Sequence, residues 1–259
     1  MNKLLLAAVL ALFWGQCYAL SDEEKGLQIM QEVDRRDTGF GDSSADVQMI
    51  LRNRHGDESV RRLRMKTLEV IGDGDKTLSI FSSPRDVKGT AFLSFTHALE
   101  PDEQWLYLPA LKRVKRISSS NKSGPFLGSE YAFEDLTSFE VPKYKYKYLR
   151  DEVFDGIDCH VIELYPQYEH SGYTREVVWV DKERYIVLKV DYYDRKDSLL
   201  KTQLFRNYQQ YLGQYWRAGE MLMSNHQNGK STLLISENYK FRNGFTDRDF
   251  DRNTLKRAR

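Results

Sequence analysis

Alternation of apolar and polar residues, repeated in short segments along most of the chain, is the feature that most limits the possible folds. Successive side chains of a β-strand point to opposite faces, so an apolar residue at every second position marks a strand with one buried face. Such segments follow one another from Ala45 to Phe241, and breaks that contain Gly, Asn or Asp separate most of them. Their number, about ten or eleven, predicts a meandering antiparallel sheet. The 16 Tyr and 13 Phe also favour strands.

Residues 21–36, "SDEEKGLQIMQEVDRR", predict a helix before the first strand. Ser21 is a suitable N-cap, and Glu24 follows it at the distance of a capping box. Acidic residues fill the first turn and two arginines the last, which suits the helix dipole. An apolar stripe at helical spacing consists of Leu27, Met30 and Val33.

An antiparallel sheet of this size must cover its apolar face. The helix and the segment around Ser123–Leu136 can do so. We therefore expect a mainly β domain with helices: a curved, half-open antiparallel β-barrel, capped by the N-terminal helix and by a helical or loop lid. No repeat, low-complexity linker or clear boundary interrupts the chain, so residues 20–259 are predicted to form a single domain.

The N-terminus carries the pattern of an export signal. Lys3 precedes the apolar run Leu4–Trp14, which is too short to span a bilayer because a spanning helix needs about 20 apolar residues. Small residues near position 19 predict cleavage after Ala19, which places the mature protein in the periplasm. The alternative is a lipoprotein signal in which Cys17 is lipidated instead of removed.

Charge and cysteine content narrow the possibilities further. The net charge is +1, and removal of Lys3 with the signal brings it to zero, so overall charge predicts no particular partner. Cys159 alone remains after cleavage, so an internal disulfide is excluded and the hydrophobic core must hold the fold.

Motifs for catalysis and metal binding are absent from the sequence. There is no G-x-S-x-G elbow, H-E-x-x-H, C-x-x-C or Gly-rich phosphate loop. Asp158 and His160 share one face of a predicted strand, but a metal site needs at least a third ligand. We therefore expect no enzymatic activity, no metal and no cofactor, and an exported chain disfavours nucleic acid as a partner.

Two basic segments each allow two interpretations. In "KYKYKY", Lys143–Tyr148, the lysines form a charged outer face that discourages edge pairing, or a docking surface. The segment "LKRVKRI", Leu111–Ile117, is a solvated strand or a patch that meets an anionic headgroup or an acidic partner. The predicted docking residues are Lys112, Arg113, Lys115 and Arg116.

A loop with the sequence "SGPFLGS" places two large apolar residues, Phe126 and Leu127, at its tip. Exposing them to water is unfavourable. Gly124 and Gly128 flank them, and glycine tolerates the backbone angles of a hinge. They form the inner surface of a mobile lid, or they plug the sheet as ordinary core residues.

The block "YLPALKRVKRISSSNKSGPFLGSEYAFEDL", Tyr107–Leu136, resembles the signature of exported outer-membrane lipoprotein-sorting proteins, a branch of the LolA-like superfamily. The terminal "FTDRDFDRNTL" is also similar. The resemblance implies a half-open barrel of about eleven strands wrapped on helices, with an apolar cavity for lipid or acyl chains. It also implies an association with RND-type exporters, which is frequent in this branch.

These observations predict a periplasmic carrier that binds a lipid or lipoprotein acyl chain and shuttles it between envelope components, with an RND-type inner-membrane transporter as partner. We expect a monomer that can touch membranes peripherally. The alternative is a non-carrier accessory or structural subunit of an envelope transporter. Alternation, flexible methionine side chains and the lid predict a cavity lined by Val47, Met49, Leu51, Leu63, Met65, Leu93, Phe95, Trp105, Tyr107, Phe126, Leu127, Trp179, Met221 and Met223.

Overall fold

The computed structural model of the protein describes residues 20–257. The predicted export signal, including Cys17 and Ala19, lies outside the described residues. Within this range the chain forms one α-helix and thirteen strands, joined by short 3₁₀ turns. The predicted mainly β class is confirmed, and the strand count is somewhat higher than the expected eleven.

The helix, α1, spans Asp22–Asp37 and begins as the sequence predicts. The Glu24 amide donates to Ser21 Oγ at 3.1 Å, and the Ser21 amide donates to Glu24 Oε2 at 2.9 Å. These two bonds satisfy amide groups that the first helical turn leaves without a partner. Ile29 and Met30 are buried against the sheet.

The strands are β1 Asp42–Arg52, β2 Glu58–Leu68, β3 Lys76–Ser83, β4 Ala91–Phe95, β5 Glu103–Leu108, β6 Arg113–Ile117, β7 Tyr144–Phe154, β8 Ile157–Pro166, β9 Tyr173–Asp181, β10 Val187–Asp194, β11 Leu199–Tyr211, β12 Tyr215–Asn225 and β13 Ser231–Phe241. The 3₁₀ turns are Pro109–Leu111, Ser119–Asn121, Glu134–Leu136, Val141–Lys143, Asp247–Phe250 and Arg252–Arg257. The segment predicted as a helical or loop lid is a loop with short 3₁₀ turns.

All strands belong to one open antiparallel sheet in the order β6-β5-β4-β3-β2-β1-β13-β12-β11-β10-β9-β8-β7. The chain runs outward from β1 to the edge strand β6 and then passes to the opposite edge strand, β7. From there it returns strand by strand to β13, which pairs with β1. The connection between the two edges, residues 118–143, is called here the crossing segment.

The two faces of the sheet have different covers. The inner face is covered by α1 and by the crossing segment, which contribute Met30, Phe126 and Tyr131 to the largest hydrophobic cluster. Gly26 allows α1 to approach β7 closely, since a Cβ there would lie 2.9 Å from the Tyr148 amide nitrogen. The outer face carries two smaller clusters, and one of them is closed by Phe250 from the C-terminal turns.

Candidate functional site: the inner face and the crossing segment

Most of the predicted cavity residues lie together on the inner face. Alternate positions of β1, β2 and β12 all belong to the large cluster under α1 and the crossing segment. The predicted residues that belong to this cluster are Val47, Met49, Leu51, Leu63, Met65, Met221 and Met223, together with Phe126 and Leu127 of the crossing segment. Their placement agrees with the predicted face, while their binding of a lipid stays a prediction.

Five predicted cavity residues lie on the outer face instead. They are Leu93, Phe95, Trp105 and Tyr107, which pack with the C-terminal turns, and Trp179, which packs in the second outer cluster. The prediction of an inner position was wrong for them because alternation groups residues within a strand but does not say which group faces inward. In β4 the inward residue is Phe92, and in β9 it is Val178.

Phe126 inserts into the inner face from the crossing segment. Its side chain is 2% exposed, and its ring centroid lies 5.1 Å from that of Phe92 and 6.1 Å from that of Phe81. Phe133, also in the crossing segment, packs edge-on at 5.5 Å. An aromatic side chain from outside the sheet therefore packs on the inner side chains of the paired strands β3 and β4.

A tight turn holds Phe126 in this position. Its amide donates to the Tyr131 carbonyl at 2.7 Å, and its carbonyl accepts from the Ser129 amide at 2.9 Å. Leu127 and Gly128 both have positive φ, 49° and 80°, which closes the turn. The Leu127 carbonyl accepts from Arg61 Nη1 of β2 at 2.8 Å.

Polar contacts anchor the crossing segment to the other half of the sheet. Tyr131 donates its hydroxyl to the Met221 carbonyl at 3.0 Å. The Glu130 amide donates to Thr232 Oγ1 at 3.0 Å. Since Phe126 packs on β3 and β4 while these bonds reach β12 and β13, the segment bridges both halves of the open sheet.

The most buried anchor is an ion pair. Lys201 Nζ of β11 lies 2.5 Å from Asp135 Oδ2 of the crossing segment, and the two side chains are 4% and 2% exposed. Lys201 Nζ also donates to the Glu130 carbonyl at 3.0 Å. The Tyr173 hydroxyl donates to Asp135 Oδ1 at 2.6 Å. A hydrogen-bonded pair of opposite charges can be buried where a single charge cannot.

Two further carboxyl groups lie buried near this pair. Burial raises the pKa of Glu134, whose carboxylate accepts from the Gly172 amide at 2.9 Å and from Ser171 Oγ at 3.0 Å. Burial raises the pKa of Glu176 to about 8, from an ordinary value of 4.5. Asp135 and Glu134 add to that increase by charge repulsion. Glu176 is therefore mainly neutral at pH 7.

Sequence reasoning missed this buried polar group: Asp135, Glu176, Lys201 and Gln203 were not among the predicted site residues. The available signal was the segment "KTQLF", in which Lys201 and Gln203 alternate with residues of the other face and precede the inward Phe205. A cation at a buried, inward position of a strand needs a partner. That partner, Asp135, lies 66 residues away in the chain.

Both ends of the crossing segment meet at Asp102, in the connection between β4 and β5. Lys143 Nζ lies 2.5 Å from Asp102 Oδ1, and Lys122 Nζ donates to the Asp102 carbonyl at 2.6 Å. The residues between Ser118 and Asn121, by contrast, are exposed. The segment is thus fixed at defined points and solvated at its start.

The basic strand β6 is an exposed sheet edge. Lys112, which precedes β6 and has a φ of 49°, is exposed. The three cations of β6, Arg113, Lys115 and Arg116, are exposed as well. Alternation sends Arg113 and Lys115 to the side of Ile117, which faces inward, and Arg116 to the other side. Arg116 Nη2 lies 3.0 Å from Glu103 Oε1. The four cations therefore surround the edge and do not form one flat patch, and docking through them stays a prediction.

Open grooves of the molecule lie mostly away from the inner face. Two of 780 Å³ each lie over the outer side of the sheet, one near Arg62 and Ile80 and the other near Leu204 and Arg206. A third, of 340 Å³, lies beside the end of α1 and contains Asp75 and Glu140, whose pKa values burial raises to about 7. The inner face itself, where the resemblance implies a cavity, is filled by the chain's own side chains.

Residues 20–257 contain neither a metal-binding cluster nor a membrane-spanning helix. No group of three or more His, Cys, Asp or Glu side chains there is arranged to hold a metal ion. His160 Nδ1 lies 2.9 Å from Asp151 Oδ1, so its neighbour is a carboxylate from β7. No helix in the same range has the length and apolar character needed to cross a membrane.

Known structures identify the family. An outer membrane lipoprotein-sorting protein domain from Vibrio parahaemolyticus is 58% identical over 90% of this chain and 99% of its own, with a TM-score of 0.89. The chain belongs to the outer membrane lipoprotein-sorting protein family. A DUF1329 family protein from Desulfovibrio piger is 30% identical to the chain described here. The match covers 91% of this chain and 100% of the Desulfovibrio piger protein, with a TM-score of 0.86.

More distant comparisons support the fold. A LolA superfamily protein from Nitrosomonas europaea is 20% identical to this lipoprotein-sorting family member over 91% of the chain and 99% of its own, with a TM-score of 0.71. The fold is therefore LolA-like, as the resemblance implied. A family model described as "Uncharacterized protein" matches residues 73–257. Among curated proteins no sequence matches the chain significantly. Membership of the lipoprotein-sorting family agrees with a binding or carrier role in general.

Proposed function

We propose that this protein is a periplasmic carrier that shelters a lipid or lipoprotein acyl chain on the inner face of its sheet, beneath the crossing segment. One observation carries the proposal: Phe126, from a segment outside the sheet, fills the apolar space between Phe81 and Phe92 of an open sheet. A second support is the family, since its Vibrio parahaemolyticus member is described as an outer membrane lipoprotein-sorting protein domain.

The physical reasoning concerns an exchange of apolar surface. An acyl chain gains about 0.8 kcal/mol for each methylene removed from water, so a chain of about sixteen carbons needs shelter to leave a membrane. If the crossing segment moves away, acyl methylenes can replace Phe126 and Phe133 against Phe92. Because one apolar group replaces another, the closed and open states need differ by only a few kcal/mol, which permits both uptake and release.

The carrier performs no covalent chemistry in this proposal. It is exported, acts as a monomer and exchanges its cargo with membranes or with an RND-type inner-membrane transporter, to which the basic strand β6 docks. Cleavage after Ala19 is part of the proposal, and N-terminal sequencing of the exported protein should then begin at Leu20. A start at an acylated Cys17 would make the protein membrane-anchored.

Native mass spectrometry of protein purified from its own envelope, followed by lipid extraction, tests the carrier proposal. The wild-type protein should carry an acyl-bearing ligand in stoichiometric amount. Met65→Glu, which places a carboxylate on the inner face, should remove the ligand and leave circular dichroism unchanged. Ser82→Glu on an exposed position of β3 is the matched control and should retain the ligand. A ligand-free wild-type protein, or unfolding of Met65→Glu, would favour the second candidate function.

That second candidate is an accessory or structural subunit of an envelope transporter, with a self-filled interior. The 2% exposure of Phe126 and the burial of the Lys201–Asp135 pair favour it, because both fit a permanently packed core. In this case the crossing segment is a plug. It would not open, and the inner face would bind no lipid.

A further inference from the structure

Resting on the proposed carrier function, we propose that the ligand is an anionic lipid whose phosphate group binds Lys201 in the place that Asp135 occupies in the closed state. In the closed state the Asp135 carboxylate then occupies the place of the ligand's phosphate group, and Phe126 occupies the place of the ligand's acyl chain. The proposal thus names a substrate class: an acyl-chain lipid with a negatively charged phosphate headgroup.

The partners of Lys201 carry the argument. Its ammonium group contacts Asp135 Oδ2 at 2.5 Å and the Glu130 carbonyl at 3.0 Å, and both residues belong to the crossing segment. Lys201 itself lies on β11. Opening of the segment therefore removes these two partners of Lys201 in one movement. A buried cation without a counter-ion is strongly unfavourable.

A phosphate group fits the two hydrogen-bond donors, Lys201 and Tyr173, that remain on the sheet after the crossing segment opens. The Tyr173 hydroxyl donates to Asp135 Oδ1 at 2.6 Å, while Lys201 contacts Oδ2. Tyr173 begins β9 and so stays with the sheet. After Asp135 departs, an ammonium and a hydroxyl donor converge on the vacated position. Two oxygens of one phosphate can accept from both, and charge-assisted bonds of this kind are among the strong ones.

Two other acidic groups near Lys201 are engaged differently in the closed state. In the closed state burial raises the pKa of Glu176 to about 8, and repulsion by Asp135 and Glu134 adds to the increase, so this carboxyl is mainly neutral. The Glu134 carboxyl accepts from Gly172 and Ser171 instead. In the closed state the negative partner of Lys201 is therefore Asp135, which belongs to the crossing segment.

A groove connects this position with solvent. It measures 570 Å³ and lies between the crossing segment and the ends of β9 to β12. Its charged lining residues are four basic side chains and two acidic ones: Arg195, Lys196, Lys201 and Lys230 against Glu130 and Asp194. The excess of positive charge attracts an anionic headgroup to the rim, while the acyl chains extend beneath the segment onto the inner face.

Lipid uptake from vesicles of defined composition tests the proposal. The mature protein is incubated with vesicles of phosphatidylglycerol or of digalactosyldiacylglycerol, a neutral lipid without phosphate, with the same acyl chains, and the bound lipid is quantified by mass spectrometry after the vesicles are removed. The wild-type protein should prefer phosphatidylglycerol by about tenfold, the scale of one charge-assisted hydrogen bond. Lys201→Met should lose this preference and keep its uptake of digalactosyldiacylglycerol. Lys145→Met, at an exposed lysine of β7, should behave like the wild type.

Equal uptake of both lipids by the wild type, or equal losses for both in Lys201→Met, would overturn the phosphate site and leave the carrier function standing. Uptake of neither lipid would overturn the carrier function and this inference with it. If inorganic phosphate alone raises the Tm of the wild type but not of Lys201→Met, the site binds a free anion and the lipid assignment is wrong.

A second variant covers the case in which Lys201→Met does not fold because Asp135 remains buried without its partner. Lys201→Met combined with Asp135→Asn removes both charges. This double variant should fold, bind digalactosyldiacylglycerol and show no preference for phosphatidylglycerol. A preference that persists in the folded double variant would contradict the role of Lys201.

Discussion

The ammonium group of Lys201 and the carboxylate of Asp135 lie 2.5 Å apart, and this contact joins β11 to the crossing segment. The two side chains are 4% and 2% exposed, so solvent screens the pair very little. Everything proposed for the inner face depends on whether this contact is permanent or exchangeable.

Removal of one partner of the pair should cost more than removal of both. We expect Lys201→Met to lower the free energy of unfolding by about 3–5 kcal/mol, since it leaves Asp135 buried and unpaired. Lys201→Met with Asp135→Asn should recover most of that loss. Urea denaturation of the two single variants and the double variant gives the coupling energy. Additive losses would mean that the two residues do not stabilise each other.

Truncation of Phe126 should cost less than truncation of an equally buried ring on the sheet. Phe81→Ala on β3 should lower the free energy of unfolding by about 3–5 kcal/mol, as core truncations do. Phe126→Ala should cost at most about 2 kcal/mol, because a segment that opens locally limits its own contribution to global stability. Chemical denaturation compares the two variants. Equal losses would identify the crossing segment as a fixed plug.

Lipid should change the mobility of the crossing segment. Pro125 is exposed at the turn that carries Phe126, so a spin label on Pro125→Cys reports on the segment, while the native Cys159 is fully buried. We expect the label to become more mobile when lipid binds. A label on Asp57→Cys, in the exposed turn between β1 and β2, is the control and should not respond. Identical spectra with and without bound lipid would argue against a lid.

Stability should fall as pH rises through the neutral range. The pKa of Glu176 is about 8 in the folded protein and about 4.5 when the group is free, so between these values the folded state holds a proton that the unfolded state has lost. The free energy of unfolding should therefore fall by about 1.4 kcal/mol for each pH unit in that interval and level off above it.

Glu176→Gln should flatten this dependence, and denaturant unfolding between pH 5 and about 9 measures it. Asp75 and Glu140, with pKa values raised to about 7, contribute slopes of the same sign that persist in the variant. Glu237→Gln, at an exposed position of β13, should leave the profile unchanged. An unaltered slope in Glu176→Gln would show that this carboxyl is ionised in the folded protein.

Charge reversal near the edge strand should slow delivery without affecting cargo binding. Lys112→Glu with Arg116→Glu changes two exposed cations, and each cation near an anionic membrane is worth about 1 kcal/mol. Transfer of lipid to acceptor vesicles that contain phosphatidylglycerol should slow by about tenfold or more, and its salt dependence should weaken. Lys145→Glu with Lys147→Glu is the matched control on β7. Transfer rates that do not respond to the reversal would remove the docking role.

Local features of the sequence determined the elements of the fold. The capping box of Ser21 and Glu24 and the apolar stripe of α1 depend only on residues a few positions apart. Alternation likewise groups Val47 with Met49 on one face of β1 whatever surrounds the strand. These patterns, with the resemblance around the crossing segment, were enough for the class of fold and the covered sheet.

Only the tertiary structure decided which face each group of residues occupies and which distant groups meet. Trp105 and Trp179 point outward because the inner positions of their strands face α1 and the crossing segment, a choice that period-two alternation leaves open. Lys201 and Asp135 are 66 residues apart, and their contact exists because the crossing segment passes over the inner face of the sheet. Pairing across such a separation depends on the path of the chain, which no local pattern records.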